Sequence, residues 1–263
     1  MNLKILFITQ DDPFYVKIFF EEFFVIYEDI RSIKAVVIAR AMGKKSMFQL
    51  ARQMYEFYGF FNFLRMGVRF VGYKVGGLGL PFTKTNSAYT LDRLCRLHGV
   101  PVMHESGINS SQFLQRVEEM GIDLIISVAA PSIFKEGLIR IPRLGCINIH
   151  NGMLPNYRGM LPNFWQMYHN EKAAGITIHE ISAGIDEGRI IAQKQVPIAP
   201  EETLDSLIKK TKSIGAHLMK ETIQKIESGS AHYKENRVEE GSYFSFPTRQ
   251  DVREFRRRGK RIV

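Results

Sequence analysis

Three residues whose chemistry is complementary stand at fixed intervals in the second half of the chain: Asn148, His150 and, 38 positions after the first, Asp186. An amide N–H can hold an oxyanion, an imidazole can exchange a proton near neutral pH, and a carboxylate can set the charge of that imidazole. Together they suit an acyl transfer. Taken singly, each has an ordinary explanation. An Asn at a strand end satisfies turn backbone groups, a lone His is packed or solvated, and Asp186 within Gly184-Ile185-Asp186-Glu187-Gly188 is common hairpin chemistry. The joint spacing lifts them above that background.

The surrounding residues explain how the three could meet. Gly145 to Ile149 reads as a short apolar strand that stops at the polar stretch His150-Asn151-Gly152, so Asn148 and His150, two apart, share one face. Leu154-Pro155-Asn156-Tyr157-Arg158-Gly159 is turn chemistry, and Pro162 opens a helix running through Trp165 towards His169. Two strands, Gly175 to Ile181 and Arg189 to Pro197, flank the Asp186 turn.

This stretch resembles the folate-dependent formyltransferase family. Its hallmarks are Asn-x-His, a Leu-Pro-x-Tyr-Arg-Gly loop and a later Asp-x-Gly, present here as Asn148-Ile149-His150, Leu154 to Gly159, and Asp186-Glu187-Gly188. The resemblance covers roughly residues 100 to 200 and extends more weakly to the start of the chain. It implies a Rossmann-like α/β fold, a mostly parallel sheet with helices on both faces, and 10-formyltetrahydrofolate as the formyl donor, with no metal. It also implies that Asn148 and His150 stabilise the oxyanion formed when an amine attacks the formyl carbon, while Asp186 sets the imidazole's state. Losing one such donor costs about 3 kcal/mol of barrier. Gap-free transfer of the family's pterin-lining positions gives Ser132, Phe134 and Ile139, with the loop Ser182 to Asp186 closing the other side. Tyr157, Arg158, Thr177 and His179 are candidates for the substrate wall. Each also has a plain reading as a turn or half-buried strand residue.

The segment after the first strand narrows the acceptor. Gln10-Asp11-Asp12-Pro13-Phe14-Tyr15 is not a glycine-rich phosphate loop, which argues against a ribonucleotide amine of the purine pathway. The chain is expected to lack room for the extra barrel of the methionyl-tRNA enzyme and to have no domain before its first strand. The expected acceptor is therefore a nucleotide-linked amino sugar. Transfer to initiator tRNA, hydrolysis of the donor by water, and folate or nucleotide binding without catalysis are the alternatives.

The positioning elements keep the strand–helix–strand rhythm of a parallel sheet. Leu3 to Thr9 is the first strand, Phe14 to Ile30 a helix, Lys34 to Ala39 the second strand, Ser110 to Met120 a helix, and Asp123 to Val128 a buried strand leading into the loop Ala129 to Phe134. A last helix, Thr203 to Ser228, carries apolar residues at helical spacing. Residues 1–200 form the expected catalytic domain, and 201–263 the helix with a short C-terminal extension.

The chain has 263 residues and a formal charge of +9. Arg40 to Lys74 holds seven basic and one acidic side chain, and Asp251 to Val263 holds six and two, so these segments supply +6 and +4 and the rest of the chain is nearly neutral. In the first segment, Lys44, Lys45, Arg65 and Arg69 interleave with Phe48, Tyr55, Phe60 and Phe61. Such a stretch can rest on an anionic membrane surface, stack a nucleotide, or pack as a helix with its basic stems extended along the surface; packing is the expectation. The tail from Arg253 to Arg261 has no evident core to join, which leaves a solvated end or a phosphate-binding arm. Before it, Tyr243-Phe244-Ser245-Phe246 is similar to aromatic motifs that meet the nucleotide in sugar-modifying relatives. No span of about 18 apolar residues is present, and the two cysteines provide no disulfide framework or zinc cluster, so a cytoplasmic location is expected. No pattern speaks to oligomeric state.

Overall fold

The structure is a computed structural model that describes residues 3–12, 14–40, 46–77 and 90–263. Pro13, Lys44 and Lys45, singled out above, lie outside the described residues, as does the side chain of Lys74. In chain order the elements are β1 (Ile5–Gln10), α1 (Val16–Ile26), β2 (Ile33–Ala39), α2 (Met47–Tyr58), α3 (Phe60–Gly77), α4 (Leu91–Leu97), β3 (Val102–Glu105), α5 (Ser111–Met120), β4 (Leu124–Val128) and α6 (Glu136–Ile139). They continue with β5 (Cys146–His150), β6 (Arg158–Gly159), α7 (Pro162–Tyr168), β7 (Ala173–Glu180), β8 (Ile190–Pro197), α8 (Leu204–Glu227), β9 (Tyr243–Phe244) and α9 (Arg249–Arg257).

Seven strands form one sheet in the order β3-β2-β1-β4-β5-β7-β8. The first five pair in parallel, and β7 and β8 add on antiparallel. The sheet is thus mostly parallel, an α/β Rossmann-like arrangement as expected. Alternation along β1 sorts its residues to two faces: Ile5 and Phe7 join a core with α1, α4 and α8, whereas Leu6 and Ile8 join one with α5 and α6. On the first face Phe7 meets the rings of Phe19, Phe20 and Phe23 edge-on at 5.2–6.5 Å. Each such buried ring contributes about 2–3 kcal/mol relative to an exposed one.

Local chemistry sets the helix ends. The carboxylate of Asp12 accepts from the N–H groups of Phe14 and Tyr15, and Tyr27 turns extended, so α1 is shorter than the expected Phe14 to Ile30. Ser110 caps α5, and Thr203 caps α8 by accepting from Ser206 N at 3.1 Å. Gly215 lets α8 lie close against the strand that carries Asn148 and His150: a Cβ there would stand 2.6 Å from Ile149 Cδ1.

The basic tail corrects the sequence expectation. Val252 and Phe255 are fully buried in a third core with Phe57, Phe164 and Leu207, and Ile262 joins them. Phe255 stacks on Phe164 with centroids 4.5 Å apart. Only every third or fourth residue of α9 is apolar, too few to announce a core, but the partners are supplied by α2 and α7. The aromatic-rich segment departs from expectation in the opposite sense. It forms α2 and α3, which bury Phe57, Met66 and Tyr73 but leave most of their large apolar side chains exposed.

Candidate active site

The sheet's antiparallel extension builds the centre. Register between β5 and β7 sets His179 opposite Asn148 and Thr177 opposite His150, so all four project to one face at the strand ends. The pairing of β7 with β8 slips between Ile178 and His179, a bulge that re-aims His179 next to the turn holding Asp186. That turn is tightly specified. Asp186 takes a left-handed conformation (φ 55°), its carbonyl accepts from Asn236 Nδ2 at 2.9 Å, and a Cβ on Gly188 would fall 1.8 Å from Glu180 O.

These elements bring Asn148, His150 and Asp186 together, with His179 as a fourth member. Asp186 Oδ2 stands 3.4 Å from His150 Nδ1 and accepts from Gly159 N at 2.9 Å, and Oδ1 stands 3.5 Å from His179 Nε2. His179 Nδ1 faces Glu180 O at 2.7 Å, so the proton sits on Nδ1, and Nε2 is left to accept from Asn148 Nδ2 at 3.1 Å. The side-chain amide of Asn148 is thereby oriented, with its second N–H free for the cleft. His150 Nε2 faces Tyr157 O at 2.7 Å and carries a proton, which leaves Nδ1, towards Asp186, as the position that gains or loses one.

Burial is nearly complete, 6% exposure for His150 and 2% for His179. Burial lowers the pKa of His150 below the usual histidine range, and the charge of Asp186 opposes this only in part. For Asp186 burial pushes the carboxyl up, but the two imidazoles and the Gly159 N–H outweigh it and hold it at about 2. At neutral pH the centre therefore rests as a carboxylate beside a neutral imidazole, poised to accept a proton that the carboxylate then stabilises.

The four residues border a cleft of about 500 Å³ at the carboxyl ends of β4 and β5. Ser132 and Phe134 line one side, Ser182 to Asp186 the other. Four residues expected at the site do not border this cleft. Ile139 packs into the core beside α5. Thr177 is fully buried, its hydroxyl donating to Gly152 O at 2.7 Å and accepting from Leu154 N at 3.2 Å, so it holds the loop after β5. Tyr157 contributes its backbone carbonyl to His150 while its hydroxyl donates to Glu171 and its ring stacks on Phe244. Arg158 pairs with Glu187 at 2.9 Å. The last three lie next to the cleft and position it.

Sequence reasoning missed three polar lining residues, Ser127, Asn151 and Lys212. Lys212, on α8, is 6% exposed and lines the cleft, and among the described residues its ammonium has no hydrogen-bond or ion-pair partner. Burial lowers its pKa, and the charge of Asp12 acts the other way. Asn151 Oδ1 is likewise buried without a partner among the described residues. Lys212 follows Lys209 and Lys210 in the sequence, and nothing in its immediate neighbours sets it apart from them. The signal that could have found it is its helical register with Ile208 and Gly215 on the side facing the sheet. Tyr243, from the aromatic motif, does line the cleft, carried there by the pairing of β9 with β6. Among the described residues no cluster of three His, Cys, Asp or Glu side chains has the geometry to hold a metal ion.

The sequence model of the formyl transferase family matches residues 83–223, more than half of the chain, a span that includes Asn148, His150, His179 and Asp186. The chain belongs to the formyl transferase family. Within that family it is similar to the methionyl-tRNA formyltransferase of Agathobacter rectalis, 34% identical over 163 residues, which cover 62% of this chain and 53% of that protein. The chain spans about half the length of the curated relatives it matches. Among solved structures, a sugar N-formyltransferase from Shewanella sp FDAARGOS_354 superposes with a TM-score of 0.60 at 18% identity, covering 97% of this chain and 87% of that one. The N-formyltransferase from Helicobacter canadensis, solved with folinic acid and dTDP-3-aminofucose, gives 0.57 at 19%, covering 95% and 72%. At these identities the structures establish a shared formyltransferase fold. Among the described residues no helix is long and apolar enough to cross a membrane.

Proposed function

We propose that this formyl transferase moves the formyl group of 10-formyltetrahydrofolate to the amine of a small acceptor, most simply a nucleotide-linked amino sugar. The observation that carries the reading is the convergence of Asn148, His150, His179 and Asp186 on one cleft. The pterin end of the donor fits between the loop bearing Ser132 and Phe134 and the turn from Ser182, where apolar surface and backbone groups face a flat ring.

The acceptor nitrogen, as a neutral amine, attacks the formyl carbon, and negative charge builds on the formyl oxygen. The free N–H of Asn148, held in place by His179, donates to that oxygen. The proton released by the amine passes to His150 Nδ1, where the Asp186 carboxylate stabilises the resulting imidazolium. Collapse of the tetrahedral intermediate breaks the bond between the formyl carbon and the folate nitrogen, and that nitrogen takes the proton held on His150, which returns the imidazole to its neutral form. On the acceptor wall, the unpaired Lys212 suits an anionic oxygen of the acceptor, and Asn151 Oδ1 suits an N–H.

The second reading, transfer to methionyl-tRNA, is favoured by the relative at 34% identity. One assay separates the readings: tetrahydrofolate release and product mass, with dTDP- or UDP-linked amino sugars, with charged initiator tRNA, and with no amine. Formylated sugar nucleotide supports the main reading. Formyl-methionyl-tRNA alone replaces the acceptor, equal release without any amine makes the reaction a hydrolysis, and folate binding without turnover leaves a binder.

A further inference from the structure

Helices α2 and α3 present a surface that folding leaves uncovered. Among the described residues, nine of the sixteen exposed large apolar side chains fall between positions 48 and 71. Phe61 is 83% exposed, Phe48 77% and Val68 66%. On α3 the usual amphipathic arrangement is inverted. Met66 and Tyr73 attach the helix along one narrow stripe, and the Tyr73 hydroxyl donates to Asp11 at 2.8 Å. On the opposite side Phe61, Leu64, Val68 and Val71 recur at spacings of three and four, which lines them up in a second stripe facing out. A contiguous apolar face of this kind marks an interaction surface.

The frame of this face is cationic. Arg65 and Arg69 flank the stripe on α3, and where α2 meets α9 the side chains of Arg52, Arg249, Arg253 and Arg256 line one depression. Arg256 is fixed there, donating to Phe57 O at 3.0 Å. Glu56 is the one acidic residue on α2 and α3 and is already engaged by Arg52 at 3.1 Å.

We propose that this face rests on an anionic lipid bilayer, with the stripe of Phe61, Leu64, Val68 and Val71 sunk into the boundary between headgroups and acyl chains and the arginines meeting lipid phosphates. Charge selects this occupant over a second copy of the chain. A two-fold contact through the same face would set its arginines against one another, whereas lipid phosphates complement them. Aromatic and aliphatic groups beside guanidinium stems are the composition that partitions at the headgroup level. Neither helix qualifies as a membrane span, so each lies on the bilayer. The attached stripe of α3 touches the loop after β1, where Arg69 lies over Phe14 at 5.6 Å, and Asp12 of that loop acts on Lys212 in the cleft. Docking would therefore bring the acceptor wall close to the membrane. The docking itself does not depend on which amine is formylated.

The test is co-flotation of the full chain with vesicles of phosphatidylcholine containing phosphatidylglycerol, against phosphatidylcholine alone, with light scattering on the same samples. The wild-type chain is expected to float with the anionic vesicles, to float poorly with neutral ones, and to be released by high salt. Phe61→Ser with Val68→Ser, both at exposed positions with little packing to lose, should weaken flotation by at least tenfold with unchanged thermal unfolding. Arg249→Glu with Arg253→Glu should weaken it by about fivefold or more per arginine. Absence of flotation overturns the proposal, as does equal binding to neutral vesicles. So does a solution dimer that Phe61→Ser with Val68→Ser dissociates, which assigns the face to a second copy. Salt-sensitive tRNA binding that survives those apolar substitutions, in place of flotation, assigns it to nucleic acid.

Discussion

The catalytic end of the sheet and the α2–α3 pair violate the ordinary rule of burial in opposite directions. Around Asp186, imidazoles, an amide and a carboxylate are taken out of water, and most of their polar atoms are matched by a specific partner. Along α3, Phe61, Leu64, Val68 and Val71 are left largely in water. Burying polar groups is costly unless they are hydrogen-bonded, and leaving a contiguous apolar stripe exposed forgoes the main favourable contribution to folding. In the first region that cost is offset by fixed hydrogen-bond partners around one cleft. In the second, no described part of the chain covers the stripe. The two regions show that function is most visible where a residue's surroundings contradict its solubility.

The contrast can be broken from either side. The largest effect is expected at the anchor between the regions. Phe255→Ala removes a buried ring stacked on Phe164 and should cost about 3–5 kcal/mol in denaturant unfolding, whereas a loss under about 1 kcal/mol would mean that the third core holds little. Within the catalytic centre, Asn148→Ala should lower kcat/KM by about 3 kcal/mol of barrier, on the order of a hundredfold, with the fold intact by circular dichroism.

Asp186→Asn should lower the rate by roughly a hundredfold and move the acid limb of the pH–rate profile further down, because the carboxylate is what raises the imidazole against burial. An acid limb that moves upward contradicts the assignment. The same substitution has a stability consequence with a definite sign. Since folding depresses Asp186 to about 2, its contribution, on the order of 2 kcal/mol, is present above the ordinary carboxylate range and is lost as pH falls towards 2. The Asn variant should show a flatter acid-unfolding curve in that window.

Lys212→Met should raise KM for the acceptor about tenfold while leaving KM for the folate within about twofold; an equal rise in both would place the ammonium on the donor side. The smallest effect belongs to the exposed stripe: Phe61→Ser should change stability by no more than about 0.5 kcal/mol and leave turnover on a soluble acceptor unaltered.

Much of the fold was legible because local patterns carry it. Short β-branched runs alternating with helical periods announced β1, β2, β4, α5 and α8, and Ser110 and Thr203 marked two helix starts to within a residue. The candidate trio Asn148, His150 and Asp186 was legible because residue types and intervals are properties of the chain itself, and the structure brings the three together. What escaped were roles that depend on a distant partner. His179, a candidate for the substrate wall in the sequence, gains its contact with Asn148 only when β7 pairs with β5 and sets the two opposite one another. Thr177, two positions away and apparently equivalent, faces the loop it holds instead of the cleft. Phe255 sits in a run of arginines that looks solvated until α2 and α7 close over it. Ile139 comes soon after the loop bearing Ser132 and Phe134 in sequence, but α6, which starts after Lys135, packs it against the core.

By itself, then, the sequence determined the types and order of the candidate groups and the elements that carry them, because residue identities belong to the chain and hydrophobic period, caps and turns act over a few residues. The tertiary structure alone decided strand register, the pairing of His179 with Asn148, the burial that pulls His150 down, and which apolar side chains of α2 and α3 find no cover. Those are set by contacts between segments tens of residues apart, and no local pattern encodes the distance at which two such segments finally meet.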